Sequence, residues 1–238
     1  EILQLGVFSI IPSCVPASYV DKTGATLAQT AIKKYMKNER VLGLAEMMNY
    51  PGVLSADKEV LAKLSAAAKF DKEIDGHAPG LTGSQLSAYC AAGINSDHEC
   101  TTAEEAIEKL RLGQWIMIRE GTACKNLEAL IPVLDKYPGR CVFSCDDKHP
   151  SDIIEEGHID HIVRRAINLG IKPETAYTVA SFGAAQRFRL KDAGAIAPGY
   201  KADIVLISDL EKVKIEKVFK GGKSITPESI NELKPPVI

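Results

Sequence analysis

The chain has 238 residues, of which 45% are apolar, and its 29 basic residues nearly balance its 31 acidic ones. This composition is typical of a folded protein with a sizeable core, and it excludes a disordered or fibrous chain. Because charges of one sign form no long run, the sequence predicts neither a nucleic-acid partner nor a membrane partner.

The predicted location is the cytoplasm. No apolar run reaches the roughly 18 residues that a membrane span needs, and the first residues lack the basic segment of a secretory signal. Six scattered cysteines without a CxxC pair are typical of a reducing compartment.

Short apolar runs alternate with amphipathic segments over the first 150 residues. The predicted strands are residues 5–11, 41–45, 74–76, 94–96, 115–119 and 141–144. Helical periodicity of apolar residues covers residues 24–37, 57–70, 84–92, 103–112 and 125–137. Thr102 and Glu105 form a capping box at one helix start. Such alternation favours a parallel sheet with crossover helices.

The last third of the chain changes character. A long helix is predicted at residues 151–169, followed by shorter helices at 173–180 and 182–188. Two strands, 202–207 and 213–219, are joined by turn residues and predict an antiparallel unit. We therefore expect two domains, residues 1–190 and 191–238. The pattern alone leaves a doubly wound sheet and a barrel open, although no GxGxxG follows the first strand to support dinucleotide binding.

Polar side chains follow each of the six predicted β/α strands. Reactive groups of β/α proteins gather at the carboxyl ends of their strands. In this chain the residues at those positions are Ser13, Cys14, Glu46, His77, Asp97, His98, Glu99, Glu120, Asp146 and Asp147. One carboxylate and two imidazoles from successive strands are ligands for Zn²⁺, Mn²⁺ or Fe²⁺. Such an ion lowers the pKa of a bound water to about 7, and the free carboxylate of Asp146 can move its proton.

Taken singly, most of these residues also fit a simpler interpretation. A histidine after a strand is often a turn residue, and Asp146 with Asp147 fits a turn. Asp97 and Glu99 fit helix caps, a role that Thr102 already fills. Glu46 differs, since it lies between apolar neighbours where an unpaired carboxylate is costly to bury.

Five sequence blocks carry a family resemblance. In chain order they are PSCVPAS, GLAEMMNYPGVL, DGHAPGLTGSQLSAYCAAGINSDHE, IREGTACKNL and CDDKHPSDIIEEGHID. Together they resemble the adenine deaminase family of the amidohydrolase superfamily, and the closing GAIAPGYKADIVLISDL resembles the superfamily's return into a small β domain. The resemblance implies an α/β fold, an incomplete TIM-like (β/α)8 barrel comprising strands 3–8, with the carboxyl-terminal strands of the small domain.

The resemblance also implies roles for matching residues. Glu46 would bridge two metal ions, His77 and His98 would be metal ligands, and Asp146 would be the catalytic base. Glu99 would donate a proton or contact the purine. The expected substrate-binding residues are Ser13, Arg119, Glu120 and Asp147. The implied cofactor is a binuclear centre of Mn²⁺ or Fe²⁺, with Zn²⁺ as an alternative, and the implied assembly is a homo-oligomer.

One departure from the family pattern limits these expectations. The family's first strand ends in a His-x-His pair, and this chain's five histidines contain no such pair. We therefore expect a piece of a longer enzyme with only part of the metal site. The predicted reaction is adenine plus water to hypoxanthine plus ammonia, in purine salvage or catabolism. Two alternatives remain: a cyclic amide or dihydropyrimidine hydrolase, which often carries a carboxylated lysine where this chain has Glu46, and a metal-binding fragment without catalysis.

Overall fold

The computed structural model describes residues 6–18 and 20–231. Residue 5, the predicted start of the first strand, lies outside this range. The strands are β1 (Ser9–Ile11), β2 (Val41–Met47), β3 (Glu73–Gly76), β4 (Ser96–Asp97), β5 (Trp115–Arg119), β6 (Cys141–Ser144), β7 (Ile204–Asp209), β8 (Lys214–Lys220) and β9 (Lys223–Ile225).

Helices connect these strands. They are α1 (Gln29–Tyr35), α2 (Tyr50–Leu54), α3 (Lys58–Lys69), α4 (Gly83–Ala91), α5 (Ala103–Arg111), α6 (Leu127–Lys136), α7 (Pro150–Glu155), α8 (Ile159–Asn168), α9 (Pro173–Thr178), α10 (Ala184–Arg187) and α11 (Pro227–Asn231). A 3₁₀ turn at Pro138–Arg140 precedes β6, and a π turn at Val179–Gly183 joins α9 to α10. Within the described ranges no helix is both long and apolar enough to cross a membrane.

The first six strands form two parallel sheets, in the orders β1-β2-β3 and β4-β5-β6. The predicted β/α alternation is thus confirmed. The two sheets are linked where the amide of Asn95, just before β4, donates to the carbonyl of Ile74 in β3 at 3.1 Å. Close approach at this junction requires Gly76, because a Cβ there would collide with the backbone oxygen of Ser96.

Each parallel sheet packs against its own helices. Leu44 of β2 and Ile74 of β3 are buried in one core together with side chains of α3 and α4. Ile118 of β5 is buried in the other core, with side chains of α6 and α8. Burying one such side chain contributes about 1.5–3 kcal/mol. These two cores hold the carboxyl ends of the six strands in place.

The predicted single helix over residues 151–169 is wrong. The structure has two helices, α7 and α8, because Gly157 between them has φ of +105°, a left-handed conformation that ends α7. The helix predicted at residues 24–37 begins only at Gln29. Sequence analysis also missed α2, whose first turn is capped by the Asn49 side chain accepting from Gly52 N at 2.9 Å.

The carboxyl-terminal strands β7, β8 and β9 pair antiparallel, as predicted for the first two of them. The turn between β7 and β8 contacts the helices that follow the second sheet. The Tyr177 hydroxyl donates to the Leu210 carbonyl at 2.9 Å, and Val213 is buried in the second core. The antiparallel sheet is therefore attached to the β/α part rather than isolated from it.

A buried ion-pair cluster ties α10 to β3. The Arg187 guanidinium has no exposed surface and contacts Glu73 at 2.5 Å and Asp75 at 3.1 Å. Removing one partner of a buried ion pair costs about 3–5 kcal/mol because the other charge remains buried. We expect Arg187→Met to lower the free energy of unfolding by about that amount in urea titrations.

Arg189→Met is the matched control for this prediction. Arg189 also pairs with Glu73, but its side chain is half exposed. An exposed pair contributes about 0–1 kcal/mol, so this variant should lose much less stability. Equal losses of unfolding free energy in the two variants would show that burial does not determine how much these ion pairs contribute to stability.

Candidate metal and catalytic site

Three candidate ligands lie at the carboxyl ends of three successive strands. Glu46 is the penultimate residue of β2, His77 directly follows β3, and His98 directly follows β4. Because these strands run in the same direction, their ends meet at one edge of the structure, and the structure brings the three side chains together there.

The donor atoms of these residues lie close together. Glu46 Oε2 is 2.8 Å from His77 Nδ1 and 3.2 Å from His98 Nε2. The two imidazole rings meet edge to face, with centroids 5.3 Å apart. Each residue offers one donor atom within 4.8 Å of the other two. The set of two imidazoles and one carboxylate predicted from the sequence is therefore assembled in space.

Arg119, at the end of β5, joins two further carboxylates to this group. Its Nη1 is 2.5 Å from Glu99 Oε1 and 2.6 Å from Asp146 Oδ2, and its Nη2 is 2.8 Å from Glu99 Oε2. Glu99 Oε1 is also 3.3 Å from both His77 Nδ1 and His98 Nε2. Arg119 thus holds Glu99 and Asp146 beside the imidazoles.

Asp146 has an unusual backbone conformation. Its φ is +44°, in the left-handed region that costs free energy for residues other than glycine. Strained backbone of this kind is common at functional sites, where surrounding contacts hold it in place. Asp147 has no such φ, and its Oδ2 accepts from Ala123 N at 3.2 Å in the neighbouring loop.

The charges of this cluster suit a divalent cation. Three carboxylates, those of Glu46, Glu99 and Asp146, surround the imidazoles with one guanidinium, that of Arg119, so carboxylates outnumber the guanidinium in the cluster. Hydrogen bonds from His77 and His98 lower the pKa of Glu46 to about 2, and its carboxylate is therefore ionised at neutral pH. Two neutral imidazoles and one carboxylate are a ligand set that Zn²⁺, Mn²⁺ and Fe²⁺ accept. The residues present fit the metal expected from the sequence.

The sequence of this chain matches the Amidohydrolase family over residues 1–225. The chain belongs to the amidohydrolase family. A divalent metal centre is a general property of that family, and the cluster described above supplies its ligand types.

Among curated relatives, the chain is similar to proteins named adenine deaminase. The adenine deaminase of Desulfatibacillum aliphaticivorans is 47% identical over 225 residues, which cover 94% of this chain and 40% of the relative. The adenine deaminase of Clostridium acetobutylicum is 49% identical over 224 residues, which cover 94% of this chain and 39% of the relative. The chain thus spans about 40% of the length of these relatives.

Solved structures support the fold. The β-aspartyl dipeptidase of Fervidobacterium islandicum AW-1, in complex with a β-Asp-Leu dipeptide, superposes with a TM-score of 0.62. Its identity to this chain is 13%, and the match covers 97% of this chain and 67% of that one. At this identity the similarity concerns the fold alone, and it is consistent with the parallel β/α arrangement of the amidohydrolase chain.

Two buried residues that sequence analysis missed fix the strand ends of this amidohydrolase. The Tyr89 hydroxyl, in α4, donates to the Met47 carbonyl at 2.8 Å and accepts from the His77 amide at 3.0 Å. The Asn126 side chain donates to the His98 carbonyl at 3.2 Å and accepts from the Arg119 amide at 2.8 Å. Each residue links the backbones of two elements that carry site residues.

Another cluster of potential ligands, formed by Asp97, Cys100 and Glu105, is already filled by a cation. The ammonium of Lys109 lies 2.8 Å from Asp97 Oδ2 and 2.7 Å from Glu105 Oε1. Burial opposes the charge on Asp97, but the attraction of Lys109 lowers the pKa of that carboxyl overall. This cluster therefore forms an ion-pair network rather than a second metal site.

The remaining predicted substrate-binding residues differ in their positions. Ser13 is buried next to the cluster, and its hydroxyl donates to the Glu46 carbonyl at 2.5 Å. The structure does not bring Glu120 to the cluster: its buried carboxylate accepts from Arg165 at 2.9 Å and from the Leu127 amide at 3.3 Å. In these contacts Glu120 caps α6 and pairs with α8.

An open cavity of about 180 Å³ adjoins the cluster. Glu46, His98 and Asp146 contribute to its wall, and so do Ile10 of β1 and Met117 of β5. Residues from both parallel sheets thus face one cavity. A small polar molecule entering this space would meet the potential metal ligands and the carboxylate of Asp146 together.

Proposed function

We propose that the protein containing this chain hydrolyses adenine to hypoxanthine and ammonia. The observation that carries the proposal is the convergence of Glu46, His77 and His98 at three strand ends, with Asp146 beside them. Identities of 47% and 49% to proteins named adenine deaminase support the choice of substrate.

Glu46, His77 and His98 would hold the metal in this proposal. When bound, a divalent ion acts as a Lewis acid and makes water a nucleophile at neutral pH. The metal proposed is Mn²⁺ or Fe²⁺, with Zn²⁺ as an alternative, in a binuclear centre that Glu46 would help to hold. The imidazoles must be neutral to act as ligands, and the carboxylate of Glu46 supplies the compensating charge.

Asp146 would carry the proton in the reaction. Its carboxylate takes a proton from the attacking water as the C6–O bond forms, and returns it to the amino group as the C6–N bond breaks. Arg119 contacts Asp146 Oδ2 at 2.6 Å and so holds the carboxylate in orientation. Glu99, held by the same guanidinium, is proposed to protonate or hydrogen-bond a purine ring nitrogen.

The finer fold assignment belongs to the same proposal. The two three-stranded sheets would be strands 3–8 of a (β/α)8 barrel, with the shared cavity at its mouth. Residues 1–190 would form the barrel part and residues 191–238 the closing strands of a small β domain. The proposed assembly is a homo-oligomer, which light scattering of the purified protein would test.

An assay of ammonia release tests the proposed reaction. We expect the full-length protein, loaded with Mn²⁺ or Fe²⁺, to release ammonia from adenine and to form hypoxanthine in equal amount. Dihydroorotate and hydantoin are the comparison substrates, because they report the cyclic amidohydrolase alternative. Ring opening of either one without adenine turnover would contradict the proposed substrate.

A further inference from the structure

Lys109 contacts the residue that follows His77 and the residue that precedes His98. Its ammonium, in α5, has no exposed surface and donates to the Ala78 carbonyl at 2.8 Å. It also contacts Asp97 at 2.8 Å and Glu105 at 2.7 Å. Three acceptors therefore match the three donors of an ammonium group, and one of them belongs to the residue that follows His77.

Asp97 connects the same lysine to the two segments that carry the histidines. These segments are residues 77–80, the His77 loop, and residues 98–101, the His98 loop. Asp97 Oδ1 accepts from the Ala78 amide at 2.8 Å, and its Oδ2 accepts from the Glu99 amide at 3.1 Å. The amide and the carbonyl of Ala78 are thus both bound by the Lys109–Asp97 pair. On the other side, Asp97 and Glu99 flank His98 in sequence, so the same carboxylate fixes the backbone around that histidine.

Glu105 extends the network over the rest of the two loops. Its Oε1 accepts from the Gly80 amide at 2.9 Å, and its Oε2 accepts from the Thr101 amide at 3.0 Å. Lys109, Asp97 and Glu105 thereby bind backbone groups that follow His77, at Ala78 and Gly80, and backbone groups that follow His98, at Glu99 and Thr101. In the described contacts, both oxygens of the Asp97 carboxylate and both oxygens of the Glu105 carboxylate accept hydrogen bonds.

Stability alone does not account for such a network. A buried ion pair is weak evidence for stability, since apolar residues of similar volume often serve as well. Backbone groups of two loops supply most of the hydrogen bonds here, so the network determines where those loops lie. Partners hydrogen-bonded to metal ligands typically change metal affinity by about 10–100-fold when replaced, and we expect a change of that order for residues that fix the backbone next to the ligands.

We propose that Lys109, acting with Asp97, is a positioning residue that holds the His77 and His98 loops in the geometry required for metal binding. The inference rests on the metal site of the proposed function. Lys109 touches neither substrate nor reacting atoms in this assignment. It acts through the backbones of Ala78 and Glu99.

The test compares Lys109→Met with the unmodified protein, both at full length, in two measurements. Zn²⁺ affinity, measured by competition with a chromophoric chelator, should fall by about 10–100-fold. Hydrogen exchange of the metal-free protein should show lost protection at the Ala78 and Glu99 amides, while the Leu130 amide in α6 reports global unfolding. A folded Lys109→Met protein with unchanged Zn²⁺ affinity and protected amides would overturn the proposal.

Arg165→Met is the matched control. Arg165 also pairs with a buried carboxylate, that of Glu120, but its described contacts do not involve either histidine loop. This variant should lose thermal stability and keep its Zn²⁺ affinity. If it lost as much Zn²⁺ affinity as Lys109→Met, a general loss of stability would explain both results and the positioning role would be refuted.

A second variant keeps the test decisive if Lys109→Met fails to fold. Lys109→Arg retains the charge, but its planar guanidinium cannot place donors where the ammonium has them. We expect a folded protein with weakened Zn²⁺ affinity and faster hydrogen exchange at the Ala78 and Glu99 amides. A Zn²⁺ affinity and exchange rates equal to those of the unmodified protein would overturn the proposal. If the unmodified full-length protein binds no Zn²⁺, the proposed metal site fails, and the exchange data alone still decide whether Lys109 holds the loops.

Discussion

Replacing Asp146 by asparagine should lower kcat for adenine deamination by about 10²–10⁴-fold, the contribution of a positioned proton-transfer group. Asparagine has nearly the same shape, but its amide can neither accept the proton of the attacking water nor return it to the leaving amine. The measurement is steady-state ammonia release by the full-length protein, with metal content determined on the same samples. Bound metal should be present in both proteins.

Asp147→Asn is the matched control for this variant. The neighbouring carboxylate contacts the Ala123 amide in an exposed loop rather than Arg119. Its replacement should reduce kcat far less than replacement of Asp146. Retained turnover in Asp146→Asn, or an equal loss in both variants, would contradict the proton-transfer role assigned to Asp146.

Replacing His98 by alanine should weaken divalent metal binding by more than the roughly 10–100-fold loss expected for a residue that only supports a ligand. His98 Nε2 lies 3.2 Å from Glu46 Oε2 and 3.3 Å from Glu99 Oε1, so its loss removes an imidazole nitrogen that contacts both carboxylates. Isothermal titration of the metal-free protein with Mn²⁺ or Zn²⁺ measures the change.

His158→Ala provides the comparison for the histidine variant. His158 precedes α8, where its backbone amide donates to Asp160 at 2.8 Å, and it belongs to none of the described groups of potential ligands. The metal affinity of the His158→Ala protein should equal that of the unmodified protein. An affinity loss of similar size in both variants would show that the measured binding is not at the Glu46–His77–His98 cluster.

The parallel β/α arrangement could be predicted because it leaves a local pattern in the sequence. Short strands, predicted at three to seven residues, and helices with a 3.6-residue period are visible without knowledge of tertiary contacts. The positions of Glu46, His77 and His98 followed from the rule that strand ends meet at one edge. Their convergence in space needed only that rule and the correct strand boundaries.

The alternation of side-chain directions along β5 was a signal that the prediction of pocket residues did not use. Arg119 and Glu120 are adjacent, and successive side chains along a strand point to opposite faces. Once Arg119 faces the cluster, Glu120 is directed toward the helices, where it contacts Arg165. The sequence prediction assigned both residues to one pocket without using this period. Similarly, Gly157 within the predicted long helix was a signal for its end.

The residues that support the site could not be read from the sequence by local patterns. Tyr89 reaches Met47 across 42 positions, and Lys109 reaches Ala78 across 31 positions. Such contacts depend on how α4 and α5 pack on the sheets. A weak signal existed for Lys109, because it lies three positions after Ala106 on the buried face of α5, where a lone cation would be costly.

The central claim is that Glu46, His77 and His98 together bind a divalent metal. Anomalous diffraction from crystals of the protein grown with Zn²⁺ tests it most directly. We predict an anomalous peak within coordination distance of all three side chains. A peak at Asp97, Cys100 and Glu105 instead would contradict the account. So would the absence of a peak near Glu46 in crystals in which Zn²⁺ fully occupies another site.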